Sequence, residues 1–137
     1  MPKIFLDTKI LLYTLDENEK EKPKNARKIV QNVIEQNTLV ISTQILQEFY
    51  VASTSKLGVE PLLAKSILHS SENMEVVRID PYLIGEAIDA SILDQISFWD
   101  SLVVVAAESA KCETLYTEDL NTGQIIRRVK IENPFQT

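Results

Sequence analysis

The sequence predicts an α/β fold built on a parallel sheet, and two observations predict it. Five short apolar, β-branched runs alternate with longer segments of helical periodicity, the pattern that joins parallel strands through crossover helices. Acidic residues fall at the ends of those strands or at a following helix start, where open parallel sheets place their chemistry. Asp7 closes the run Ile4-Phe5-Leu6, Asp119 follows Thr114-Leu115-Tyr116-Thr117, and Asp100 lies at the start of an apolar helix.

Residues 3–8 read as the first strand, and a short helical or turn segment follows from Ile10 to Leu15. A helix starts near Pro23, whose missing N–H costs little in a first turn. Ala26, Ile29, Val30, Val33 and Ile34 give it an amphipathic stripe. Thr38 to Ser42 is the second strand. The helix from Gln44 to Leu57 turns Ile45, Leu46, Phe49, Ala52 and Ser53 inward. A further helix is expected from about Glu60 to Ser70, and Glu75 to Ile79 as the third strand. Tyr82–Leu93 is amphipathic again. Ser97 to Ala110 is apolar nearly all round and so is expected to be buried on most sides. Thr114–Thr117 is the fourth strand and Arg128–Ile131 the fifth, before a tail that begins at Asn133-Pro134.

A chain of 137 residues reads as one domain with a proper core, and 45% apolar with 25% charged residues is an ordinary soluble composition. No run approaches the roughly 20 apolar residues that span a bilayer. The N-terminus reads as a strand carrying an acid and not as a signal peptide. A single cysteine, Cys112, excludes an internal disulfide and a cysteine-based zinc site. The expected location is cytoplasmic. A net charge of −6 argues against a bulk nucleic-acid binder, but not against an enzyme acting on nucleic acid. Two basic clusters, Lys20 to Lys28 and Arg127 to Lys130, are either solvated faces or phosphate contacts.

Each acid has a structural reading beside a chemical one. Asp7 follows a run too hydrophobic for an edge strand, which puts it at the rim of a buried sheet. Ser97-x-x-Asp100 fits a capping box, and the same helix turn faces the carboxyl ends of the strands. Glu48 borders the apolar stripe of its helix. Glu118 and Asp119 are adjacent, so only one is expected to face a site; Asn121 is a loop residue or an amide supporting the acids. If Asp7, Glu48, Asp100 and Asp119 converge, each pair of charges about 4 Å apart costs about 4 kcal/mol at an effective dielectric of 20. Four ionised acids would therefore need protons or cations. Carboxylates without Cys or His suit Mg²⁺ or Mn²⁺. His69, the lone histidine, and Cys112 are expected to be structural. Trp99 is a packing residue or a base-stacking one.

The residues FLDTKILLY, the glutamate of QILQEFY, and FWDSLVVVAAESAKCETLYTEDLNTGQ together resemble the PIN-domain ribonucleases, most closely the VapC-type toxins of toxin–antitoxin pairs. The resemblance spans essentially the whole chain. It implies a three-layer α/β/α fold with a central five-stranded parallel sheet. It implies an acidic pocket of Asp7, Glu48, Asp100 and Asp119 binding Mg²⁺ or Mn²⁺, with Thr117 at a hydroxyl position lining it. Glu48 would hold the metal or orient the attacking water, and Asp119 would complete the pocket or bind a second ion. Thr8, Lys9, Thr117 and Asn121 would surround the acids. The implied activity is metal-dependent cleavage of RNA, and the implied partners are a small antitoxin with a basic side chain and a second copy of the chain. The alternatives are a PIN nuclease of RNA processing and a non-catalytic binding module; an aspartyl phosphotransferase fits less well. One departure stands out: the family's usual D-T-N is here Asp7-Thr8-Lys9, and the lysine is expected either to turn away or to pair with Asp7 or Asp100 in place of a metal ion.

Overall fold

The computed structural model describes residues 1–69 and 74–136. Its strands and helices alternate as β1 (Lys3–Leu6), α1 (Thr8–Tyr13), α2 (Glu21–Gln36), β2 (Thr38–Ser42), α3 (Thr43–Ser55), α4 (Pro61–His69), β3 (Met74–Val77), α5 (Pro81–Asp94), α6 (Phe98–Ser109), β4 (Thr114–Tyr116), β5 (Ile125–Ile126) and β6 (Val129–Glu132). Ser70, where α4 was expected to end, lies outside the described residues.

The sheet order is β3-β2-β1-β4-β6-β5. β1 is central: Phe5 pairs with Val40 on one side and Leu115 on the other, both in parallel register. From β1 the chain builds outward through β2 and β3, then returns to the other flank through β4. The order therefore reverses between β1 and β4, and the carboxyl ends of those strands open a crevice there.

The sheet has six strands among the described residues, not five. The expected fifth strand is β6, parallel to β4, and the short β5 pairs with it antiparallel. Arg127 and Arg128 form the turn between them at φ 47° and 70°. Left-handed backbone costs about 1–2 kcal/mol per non-glycine residue. Arg127 offsets part of this by bonding Glu86 of α5 and Glu108 of α6, at 2.7 and 2.8 Å. A hairpin turn normally announces itself by Asn-Gly or Asp-Gly; two arginines, one of them held by distant acids, do not.

The first strand is also shorter than expected. It ends at Leu6 because Asp7 caps α1, its carboxylate accepting the Thr8 N–H at 2.8 Å. Thr8 thus opens a helix and does not extend a strand. Ser97 caps α6 as expected, accepting the Asp100 N–H at 3.0 Å.

α6 shows how packing overrides propensity. Val103, Val104 and Val105 each disfavour a helix by about 0.5 kcal/mol relative to Ala. All three are buried, and full burial of such a side chain contributes about 1.5–3 kcal/mol. Val103, Val104, Ala106 and Ala107 join the sheet core, while Leu102 and Val105 join Leu83, Ala87 and Ala90 of α5. The helix is thereby buried on most sides, and its first turn is fixed at the crevice. Among the described residues no single helix is long and apolar enough to cross a membrane; α5 and α6 pass that test only as a pair, bent by 115°.

Candidate functional site

Asp7 sits at the β1–β4 crevice and is buried. Its Oδ1 accepts the Thr8 N–H, and its Oδ2 accepts the hydroxyl of Thr117 at 2.7 Å. Thr117 lies just beyond β4, so one hydrogen bond ties the ends of the two adjacent strands. Burial pushes the Asp7 carboxyl up from 3.8 to about 6; the bonds from Thr117 and Thr8 oppose this, and the charges of Asp119 and Glu48 add to it.

Glu48 reaches the same place from α3. Its Oε1 accepts the Thr8 hydroxyl at 2.7 Å, and its Oε2 accepts the Gln44 amide at 3.4 Å. Gln44, one turn earlier on α3, also donates to the carbonyl of Trp99 at 3.3 Å. It therefore joins Glu48 to the first turn of α6, beside Asp100. Gln44 is buried, and its Oε1 has no hydrogen-bond partner. Sequence reasoning passed over this residue; the available signal was an amide four residues before Glu48 on one helix face.

Asp100 is half-buried on α6. Burial raises its pKa, a hydrogen bond with the Ser97 side chain opposes that, Asp119 and Glu48 raise it, and Lys9 lowers it. Asp100 and Asp7 thus both feel the charges of Asp119 and Glu48. The adjacent acids of the 118–119 pair part company. Glu118 accepts the Tyr13 hydroxyl at 2.6 Å and the Lys22 ammonium at 2.7 Å. Lys22 also stands over the rings of Tyr13 and Phe135. Asp119 faces the crevice: its N–H donates to Thr117 Oγ1 at 3.1 Å, and its carboxylate accepts the Lys9 ammonium at 2.7 Å.

Asp7, Thr8, Lys9, Glu48 and Asp119 line an open cavity of about 510 Å³, with Asp100 within electrostatic reach of it. Asn121 is exposed in the loop beyond Asp119, and no hydrogen bond described for its side chain links it to the acids.

A family profile described as PIN domain matches residues 4–130. The chain belongs to the PIN domain family. No curated protein matches it in sequence. Among solved structures it is similar to a toxin–antitoxin complex from Klebsiella pneumoniae, at TM-score 0.73 and 14% identity, over 98% of this chain and 99% of that one. It is similar to VapC20 of Mycobacterium tuberculosis, a toxin that cleaves the sarcin–ricin loop, at TM-score 0.68 and 16% identity, over 85% and 89% of the two chains. It also resembles VapBC2 of Rickettsia felis bound to promoter DNA, at TM-score 0.66 and 20% identity, over 95% and 97%. At these identities the likeness is one of fold.

The donors of this PIN pocket are carboxylate and hydroxyl oxygens, which fit Mg²⁺ or Mn²⁺ in chemistry. Among the described residues, no three His, Cys, Asp or Glu side chains are arranged to hold one ion. Thr8 engages Glu48 and Lys9 engages Asp119. The expected alternatives were a lysine turned away or one paired with Asp7 or Asp100; Lys9 instead bonds Asp119, which the loop after β4 brings to it.

Three residues of the basic clusters have partners within the fold. Lys22 is held by Glu118, Arg27 donates to the Thr14 carbonyl, and Arg127 is held by Glu86 and Glu108. Cys112 is buried, and burial pushes its thiol up to about 12, which leaves it unreactive at neutral pH. His69 is exposed at the end of α4.

Proposed function

We propose that this PIN protein is a metal-dependent endoribonuclease and the toxin of a toxin–antitoxin pair. The observation that carries this reading is Asp7, buried at the strand-order reversal, bonded to Thr117 and in the field of Glu48 and Asp119. A buried carboxylate among like charges calls for a cation. Asp7 and Asp100 are the principal residues that would hold Mg²⁺ or Mn²⁺, with Glu48 and Asp119 completing the set. When bound, such an ion lowers the pKa of water and stabilises charge on a phosphate under attack.

The chain's own residues supply the positioning. Thr8 and Gln44 fix both oxygens of Glu48, so that carboxylate is orientated before substrate arrives. Thr117 holds Asp7 through its hydroxyl and Asp119 through that residue's N–H, which sets two acids from one side chain. The exposed Trp99, next to Asp100, offers a ring on which an unpaired base can stack. Hydrolysis adds water across a P–O ester bond: the hydroxyl goes to phosphorus, and the departing oxygen takes a proton.

The toxin role draws on the neighbours, several of which are toxin–antitoxin complexes. A small antitoxin presenting an arginine would complement four acids. Tyr82, Ile88, Ile92 and Leu93 leave an exposed apolar face on α5, suited to a second copy of the chain. The Lys9–Asp119 ion pair favours a second reading, a pocket that binds a partner without cutting. Cleavage of a mixed RNA pool with Mn²⁺, with product ends mapped, separates the two. Activity abolished in Asp7→Asn and Asp100→Asn supports the nuclease; no cleavage by the parent chain supports the binding module.

A further inference from the structure

We infer that Lys9 is a resident cation of the acid pocket, holding Asp119 and limiting the pocket to one divalent ion. This rests on the metal-dependent reading above.

The geometry starts from α1. Lys9 follows the Asp7 cap by two residues and spans from α1 to the loop after β4, placing its ammonium 2.7 Å from Asp119 Oδ1. That is the length of a charge-assisted hydrogen bond. Asp119 is held from behind, because its N–H is fixed by Thr117 Oγ1. Glu118, the alternative partner in the same loop, is already taken by Tyr13 and Lys22. The loop therefore presents one acid to Lys9 and turns the other away.

The ammonium acts on more than its contact. Asp119 as bonded partner raises the Lys9 pKa, and the charges of Asp7 and Glu118 raise it further. Lys9 in turn lowers the pKa of Asp100. Among the described residues lining the cavity shared by Asp7, Glu48 and Asp119, Lys9 is the basic side chain paired with one of these acids; Lys56, also on the lining, has no ion pair described with them.

Charge balance gives the consequence. Asp7, Glu48, Asp100 and Asp119, ionised, carry four negative charges, and Lys9 reduces this to three. One divalent ion leaves a single negative charge; a second would make the pocket positive while competing with the ammonium for Asp119. Without Lys9, two divalent ions balance the four acids. The pair is half-exposed, and exposed pairs are weak. Lys9 therefore biases the count of ions without sealing the pocket.

The test is Mn²⁺ titration of the full chain by calorimetry, with no RNA present. The parent chain is expected to bind one Mn²⁺. Lys9→Met is expected to bind a second and to hold the first about tenfold more tightly, as removal of one like charge at short range implies. Lys9→Arg, which keeps the charge, should still bind one. In an Asp119→Asn background, Lys9→Met should no longer add an ion. Thermal melts check that each variant is folded; the exposure of Lys9 makes that the expected result. Equal stoichiometry and affinity in the parent and Lys9→Met overturns the inference alone, as does a parent chain that binds two. Absence of Mn²⁺ binding in both overturns the metal-dependent reading and this inference with it.

Discussion

Thr117 donates its hydroxyl hydrogen to Asp7 at 2.7 Å, joining residues 110 positions apart in the chain. The same oxygen accepts the N–H of Asp119. One buried hydroxyl thus fixes a carboxylate at the end of β1 and the turn that carries a second.

Thr117→Val keeps the shape and removes both bonds. A buried group left without its partner costs about 1–3 kcal/mol. Urea unfolding should register a loss of that order, and RNA cleavage should fall at least about tenfold as Asp119 loses its anchor. Stability and activity equal to the parent's would show that the bond positions nothing.

Asp7 predicts a pH dependence of stability in metal-free buffer. Its folded pKa lies above its unfolded value, so ionisation favours the unfolded chain. The group's contribution is fully present below pH 3.8 and is lost as pH rises through about 6. A shift of this size corresponds to about 3 kcal/mol as an upper figure. Asp7→Asn should therefore flatten the melting-temperature profile between pH 4 and about 7. An unchanged slope in that variant would assign the dependence to other groups.

Gln44 separates positioning from stability. Gln44→Met removes an orphaned buried acceptor along with two long hydrogen bonds, at 3.3 and 3.4 Å. These effects oppose one another, and the net change in unfolding free energy should stay within about 1 kcal/mol. Glu48 loses one of its two anchors, so kcat should fall about tenfold with little change in KM. A loss confined to KM would place Gln44 in substrate binding instead.

Trp99 is 63% exposed and packs edge-on against Phe98 at 5.2 Å. Trp99→Ala should leave the melting temperature nearly unchanged. Base stacking is worth about 1–3 kcal/mol, so affinity for single-stranded RNA should drop by roughly five- to 150-fold. Affinity equal to the parent's would assign the ring to protein contact.

The sequence by itself determined the alternation of strands and helices, because apolar period and capping are written locally. TLVIS became β2, Ser97 capped α6, and Asp7 came to the end of β1. It also supplied the donor types of the candidate pocket, since an oxygen-only set of acids follows from residue type. Tertiary structure decided what depends on contacts between distant segments. β5 is two residues long, and its turn is stabilised by Glu86 and Glu108, which no local pattern reveals. Glu118 and Asp119 are adjacent acids; Tyr13 and Lys22 draw one away from the crevice while Thr117 and Lys9 hold the other at it. Gln44 is an ordinary helix residue until folding brings the Trp99 carbonyl to it. Lys9 was expected to turn away or to pair with Asp7 or Asp100, and the loop after β4 gave it Asp119 instead. Local sequence fixes which groups exist and which element carries them. Partner choice is a competition among side chains that only the folded chain brings within reach.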